Sequence, residues 1–294
     1  MNILVAGGTG FIGSALCKEL ADRGHDVTAM ARHPDDETLP TGVEAVAGDA
    51  TDPESARTAV DDHDVVVNLV ALSPLFQTSK GVSQASVHVG ATTALVEAAE
   101  NEAVDRFVQL SAIEADTDAP TSHLRAKGRG EAIVRESAVE SIVVRPSVVF
   151  GAGDEFTSFI GATTVPYLTP LPAGGRTRFQ PLWIGDLAPL LAECVLEARG
   201  DETYELAGPE VLTLADVTRQ YYAARNRWVR IVPVPMVLSK LGLSLAGPIP
   251  FVPFGIEQAR GLTVDNTTSR NAVDEFGVEP ASLRTFREYL DAES

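Results

Sequence analysis

The stretch GGTGFIG, residues 7–13, constrains this chain more than any other. Gly7, Gly8, Gly10 and Gly13 lie between an apolar run ending at Ala6 and a helical run opening at Phe11. The first N–H groups of a helix have no intrahelical acceptor, and the helix dipole adds partial positive charge there. Glycines before such a helix keep side chains out of the space in front of it, which suits a phosphate. Gly8, Gly10 and Gly13 satisfy G-x-G-x-x-G, and Gly7, Gly10 and Gly13 satisfy G-x-x-G-x-x-G. The expected cradle is Gly7, Thr9, Gly10, Phe11, Ile12 and Gly13, with Gly13 also letting the helix pack on the first strand. A mere tight turn is the alternative. The placement between a strand and a helix argues for the dinucleotide reading.

The rest of the first half supports that context. Strand-like runs at 3–6, 27–31, 43–47, 65–70, 107–110 and 142–145 alternate with helical patterns at 11–23, 53–60, 83–101 and around 122–137. Continuous apolar strands alternating with helices predict an α/β fold, a doubly wound parallel Rossmann sheet covered on both faces. The second half is less regular. Residues 1–150 with 179–229 are expected to form the dinucleotide-binding domain. Residues 151–178 with 230–294 are expected to form a smaller, discontinuous C-terminal lobe on the substrate side.

Charge narrows the function further. The chain of 294 residues carries 41 acidic and 23 basic residues, a net charge of −18. Lysine appears only at positions 18, 80, 127 and 240. Dense like charge is tolerated where salt shortens the Debye length to about 3 Å, so a salt-adapted source is expected; an ordinary acidic protein is the alternative. No basic stripe invites nucleic acid. Cys17 and Cys194 sit in apolar helical patterns and the histidines lack ligand spacing, so neither a disulfide nor a metal is expected. A strand at the first residues leaves no room for a signal peptide, and no apolar run makes a clear transmembrane span, so a cytoplasmic location is expected.

Successive motifs then resemble one family. GGTGFIG, GDATD, VNLVA, VHVGATTALVEAAE, FVQLSAI, VVRPSVVFGAGD and FQPLWIGDLA occur in order. Together they resemble the extended or atypical short-chain dehydrogenases/reductases, in particular the branch of the NADH-dehydrogenase 39 kDa subunit. In this resemblance Asp49 contacts adenine beside Ala50, a turn role for Asp49 being the alternative. Pro146, Ser147, Val148 and Val149 lie along the nicotinamide. The family's catalytic Tyr-x-x-x-Lys falls on His123 and Lys127, which share a helix face. Ser111 offers the hydroxyl that polarises a carbonyl, although the usual serine position reads Ala112.

The residues themselves speak to the nucleotide. An NAD-binding second strand ends in an acid that takes the ribose hydroxyls. Here Ala31 stands in that place and Arg32 follows; a guanidinium suits a 2′-phosphate. NADP(H) is therefore favoured over NAD(H). Val70, Ala71 and Leu72, small or apolar at the end of the fourth strand, leave room for a ribose. Arg145 inside an apolar strand needs a structural partner, and Asp186 reads as a helix N-cap.

Residues 231–256 are apolar, with five prolines and Lys240 as their only charge. A short helix over 236–245 fits there. A lid over a substrate, a face for a partner subunit and membrane contact are the readings, the last opposed by the net charge. Two functions remain: an NADP(H)-dependent oxidoreductase or isomerase on a small or lipophilic carbonyl or hydroxyl compound, motivated by Lys127, and a non-catalytic NADPH-binding accessory or sensor protein, motivated by His123 and Ala112.

Overall fold

The computed structural model describes residues 1–35, 39–76, 81–197, 200–235 and 260–293. The helix expected over 236–245 lies outside them. Seven strands form one sheet: β1 (Asn2–Ala6), β2 (Asp26–Ala31), β3 (Val43–Ala47), β4 (Val65–Asn68), β5 (Arg106–Leu110), β6 (Glu140–Pro146) and β11 (Thr203–Leu206). Their order is β11-β6-β5-β4-β1-β2-β3, and the pairings run parallel. The order reverses between β1 and β4, which is where ligands bind in open α/β sheets. β4 ends at Asn68, so Val70, Ala71 and Leu72 lie just past the strand rather than in it.

The strands form because their residues are apolar on both sides. Ile3, Leu4, Val5 and Ala6 are all fully buried. Helices cover the faces: α1 (Phe11–Asp22) and α6 (Ile184–Leu196) pack on each other, and α2 (Pro53–Val60), α3 (Gly90–Asn101) and α4 (Ser122–Glu136) follow one another around the core. Leu4, Ala6, Val66 and Phe107 meet Ala56, Leu95 and Val134 in that core. A π-helical turn, Ala85–Val89, leads into α3, where a continuous α-helix was expected from residue 83. Such turns insert one residue and re-aim the side chains around them. Cys17 and Cys194 are buried, and burial pushes both thiols up to about 12.

The chain divides into two units. The first is Met1–Leu72, Lys80–Pro146 and Ile184–Glu205; the second is Ser73–Ser79, Ser147–Trp183 and Leu206–Ser294. This differs from the expected boundaries. Residues 147–150, 179–183 and 206–229 belong to the second unit because its own bonds hold them there. In it β7 (Val149–Phe150) pairs with β10 (Leu182–Trp183), and β9 (Arg178–Phe179) pairs with β12 (Leu212–Thr213). Helix α7 (Leu214–Ala223) adds Leu214 and Val217 to a core with Phe150, Phe156, Ile160 and Phe286. The unit also contains α5 (Glu155–Thr163), α8 (Phe286–Ala292), and a parallel pair, β8 (Tyr167–Pro172) with β13 (Val229–Val234).

Candidate functional site

Because the sheet is parallel, β1 to β6 all end at one edge. That edge gathers Gly7, Arg32, Asp49, Val70, Ser111 and Pro146 from six different strand ends. The glycine loop is fixed there by backbone bonds: the Gly7 N–H donates to the Met30 carbonyl at 2.9 Å, Gly8 to Val5 at 3.0 Å and Gly10 to Gly7 at 3.1 Å. Gly7 has φ +83°, a left-handed conformation open to glycine. A Cβ on Gly13 would lie 2.2 Å from the Gly7 carbonyl oxygen, so helix and loop touch backbone to backbone there.

Gly10 differs. It occupies the N-cap of α1, and a Cβ on it would meet only the Gly7 oxygen, at 3.3 Å. The N-terminus of α1 has no side-chain cap and no acid in its first turn. Its N–H groups, including those of Phe11 and Ile12, are thus left for an outside anion, and the open ground before Gly10 fits a pyrophosphate.

Arg32 is exposed immediately after β2, and Gly48 donates to the Ala31 carbonyl beside it at 2.9 Å. Asp49 follows. Its Oδ1 accepts from the Thr51 N–H at 2.9 Å and the Thr51 hydroxyl at 2.8 Å. These bonds, with the Arg32 charge as a smaller cause, hold its carboxyl below the usual range. Asp49 is thus a turn former whose position beside Arg32 faces the same strand end. Ala50 behind it is buried.

Helix α4 carries His123 and Lys127, the pair expected at the catalytic positions. Thr121 caps it by accepting from the Leu124 N–H at 3.2 Å. His123, Lys127, Glu131 and Arg135 succeed one another every four residues along one face. Lys127 is 4 % exposed and donates to the Leu110 carbonyl at 2.7 Å. Burial lowers its pKa to about 8, against an opposing pull from Glu131. Glu131, 1 % exposed, accepts from Arg145 Nε at 2.8 Å and Nη2 at 2.7 Å, and from Arg135 at 2.8 Å. The Ser111 hydroxyl also donates to Glu131. Arg145 further reaches Glu205 and the Ala115 carbonyl.

At the other end of this face His123 meets His88, a residue that the sequence motifs did not single out. Their ring centroids are 5.2 Å apart. The Gln84 Oε1 lies 3.2 Å from His123 Nδ1 and 3.0 Å from His88 Nε2. The Leu72 N–H points at His88 Nε2 from 3.4 Å, and His88 Nδ1 has no hydrogen-bond partner among the described residues. Burial, then the Lys127 charge, lowers the His88 pKa to about 2 and the His123 pKa to about 3. Both imidazoles are therefore neutral at pH 7. His88 comes from the π-helical turn, 35 positions from His123 in sequence, so only the fold joins them.

The other expected residues are distributed differently. Val148 and Val149 belong to the second unit, where the Val148 N–H donates to Asn266 Oδ1 at 2.6 Å. Ser147 donates to the Gln180 carbonyl. Asp186 lies inside the first turn of α6, which begins at Ile184, so it is not an N-cap. Among the described residues no group of three or more His, Cys, Asp or Glu is arranged for a metal. None of the described helices is long and apolar enough to cross a membrane.

Residues 7–157 match a family described as NAD(P)H-binding. The chain is 28% identical over 292 residues to the mitochondrial NADH dehydrogenase [ubiquinone] 1 alpha subcomplex subunit 9 of Arabidopsis thaliana, covering 92% of this chain and 71% of that one. The structure of UDP-glucose 4-epimerase from Thermus thermophilus, in complex with NAD, superposes with a TM-score of 0.75 at 18% identity, covering 99% of this chain and 97% of that one. A human epimerase family protein with NADPH gives 0.73 at 22% identity, covering 99% and 98%.

Proposed function

Because the chain belongs to the NAD(P)H-binding family and has the Rossmann fold of extended short-chain dehydrogenases/reductases, we propose that it is an NADP(H)-holding accessory protein without ordinary dehydrogenase turnover. The observation that carries this is His123. It stands where the family's tyrosine is expected, enclosed with His88 and Gln84 and kept neutral by burial and by Lys127. A neutral imidazole of such low pKa is scarcely populated as an acid and is a weak base at pH 7. Ser111, the other expected polariser, donates its hydrogen bond to Glu131.

The groups that remain suit binding. Gly7, Thr9, Gly10, Phe11, Ile12 and Gly13 would hold the pyrophosphate, and Arg32 the 2′-phosphate. Asp49, Ala50, Val70, Ala71 and Leu72 would border the adenosine half. Lys127 and Pro146 would serve the nicotinamide half. NADP(H), when bound, supplies hydride chemistry. The likeness to an NADH dehydrogenase subunit supports an accessory place in an assembly. A second reading, an oxidoreductase on a carbonyl or hydroxyl compound, draws on Lys127, which keeps the family's spacing of four from position 123.

The test is purification at high salt, identification of the retained nucleotide, and calorimetry with NADPH and NADH. NADPH should bind more tightly by about 1.5–3 kcal/mol, the worth of a charge-assisted bond, and Arg32→Ala should bring the two together. Equal affinities, or a preference for NADH, overturn the nucleotide assignment. Turnover of ketones or alcohols at about ten per second or faster, abolished by His123→Ala, overturns the accessory reading.

A further inference from the structure

The second unit displays a surface unlike the rest of this acidic chain. Val165, Tyr167, Leu168 and Trp228 are 55, 51, 57 and 64 % exposed. The Tyr167 N–H donates to the Trp228 carbonyl at 2.9 Å, and the two rings meet edge to face at 5.2 Å. Tyr167 has φ +72°, a left-handed conformation rare for an aromatic residue. The contact between Tyr167 and Trp228 thus sets two large rings together on the surface, with Val165 and Leu168 exposed close by in sequence; solitary apolar residues are ordinary there, and an aromatic pair is less so.

The charge around them is equally distinctive. Residues 156–185 and 217–256 contain seven basic residues and not one of the 41 acids. The pairing of β8 with β13 joins these two acid-free stretches. Arg225, Arg227 and Arg230 are exposed next to Trp228. Arg225 lies over the Tyr221 ring at 3.7 Å. Arg227 and Arg230 form no ion pair among the described residues, whereas Arg23, Arg57, Arg106, Arg145, Arg178 and Arg219 all do.

We propose that this face docks a partner protein whose contact surface has an apolar centre and an acidic rim. The proposal rests on the accessory reading above and supplies its missing contact. Trp, Tyr and Arg are the residue types that dominate binding at protein interfaces. Guanidinium groups match carboxylates in a planar, bidentate way, and every basic group flanking Trp228 here is arginine. A second copy set symmetrically on the same face would oppose arginine to arginine. An anionic membrane would meet the repulsion of the −18 chain at longer range. Strand addition is hindered as well, because Pro170, Pro172 and Pro233 remove N–H donors from β8 and β13.

The experiment selects binders to the full chain from a displayed library of random short peptides, at the lowest salt at which the chain stays folded. Selected peptides should combine Asp or Glu with aromatic or aliphatic residues. Their affinity should fall at least about tenfold for Trp228→Ala and for the Arg227→Glu/Arg230→Glu pair. A peptide with its acids changed to lysine should then bind the doubly substituted chain better than the parent chain. These residues are exposed, so an unchanged melting temperature confirms that both variants fold. Peptides without acids, or equal binding to the variants, overturn the proposal. Patch-dependent retention on phosphatidylglycerol vesicles without peptide selection overturns it in favour of a lipid surface. Turnover in the ketone and alcohol assay would overturn the accessory reading while leaving the peptide result to stand or fall alone.

Discussion

Single atoms decide what each glycine does. A methyl group on Gly13 would collide with the Gly7 carbonyl, whereas one on Gly10 would meet only the Gly7 oxygen, at 3.3 Å. Gly13→Ala should therefore destabilise the protein by several kcal/mol, within the range of severe overpacking. Gly10→Val should leave the protein folded by circular dichroism, with a smaller loss of melting temperature than Gly13→Ala, and abolish nucleotide binding in calorimetry. Retained tight binding by Gly10→Val would reduce the glycines to a turn. The motif was legible in the sequence because spacing alone states it. The division of labour among its glycines was not, since it depends on which backbone atoms approach in space. Ser111 shows the same limit. Its identity was readable, but its bond to Glu131 comes from a helix that begins eleven positions later.

At the level of elements, the sequence revealed the strands well because parallel strands buried on both faces read as unbroken apolar runs. It revealed the π-helical turn poorly, because nothing in ASVHV departs from an ordinary helical pattern. That turn places His88 against His123 on α4, with consequences for pH. Burial lowers both pKa values far below the ordinary 6.5, to about 2 and about 3. From pH 6.5 down to about 3 the unfolded chain therefore binds protons at these two sites that the folded chain refuses. Stability must fall as pH falls, by about 1.4 kcal/mol per pH unit for each histidine. Denaturant titrations should show this slope setting in around pH 6.5 and reaching its full value near pH 5, and His88→Gln should remove about half of the pair's share. An unchanged slope in that variant would mean that His88 accepts its proton in the folded protein.

For the whole molecule, the excess of acids is the governing quantity. With 41 acids against 23 bases, the chain is expected to lose stability as salt is withdrawn and repulsion is no longer screened. Melting temperature should fall steadily from molar to millimolar salt; a flat profile would assign the composition to an ordinary acidic protein. The division into two units was only partly legible. Its boundaries follow short strand pairs such as β7 with β10, whose two-residue lengths leave almost no periodic signal. The bond from Ser111 to Glu131 also ties two parts of the site into one unit, because the same carboxylate holds Arg135 and Arg145. Under the accessory reading, His123→Tyr alone would restore no reductase, since the Ser111 hydroxyl would still be engaged by Glu131.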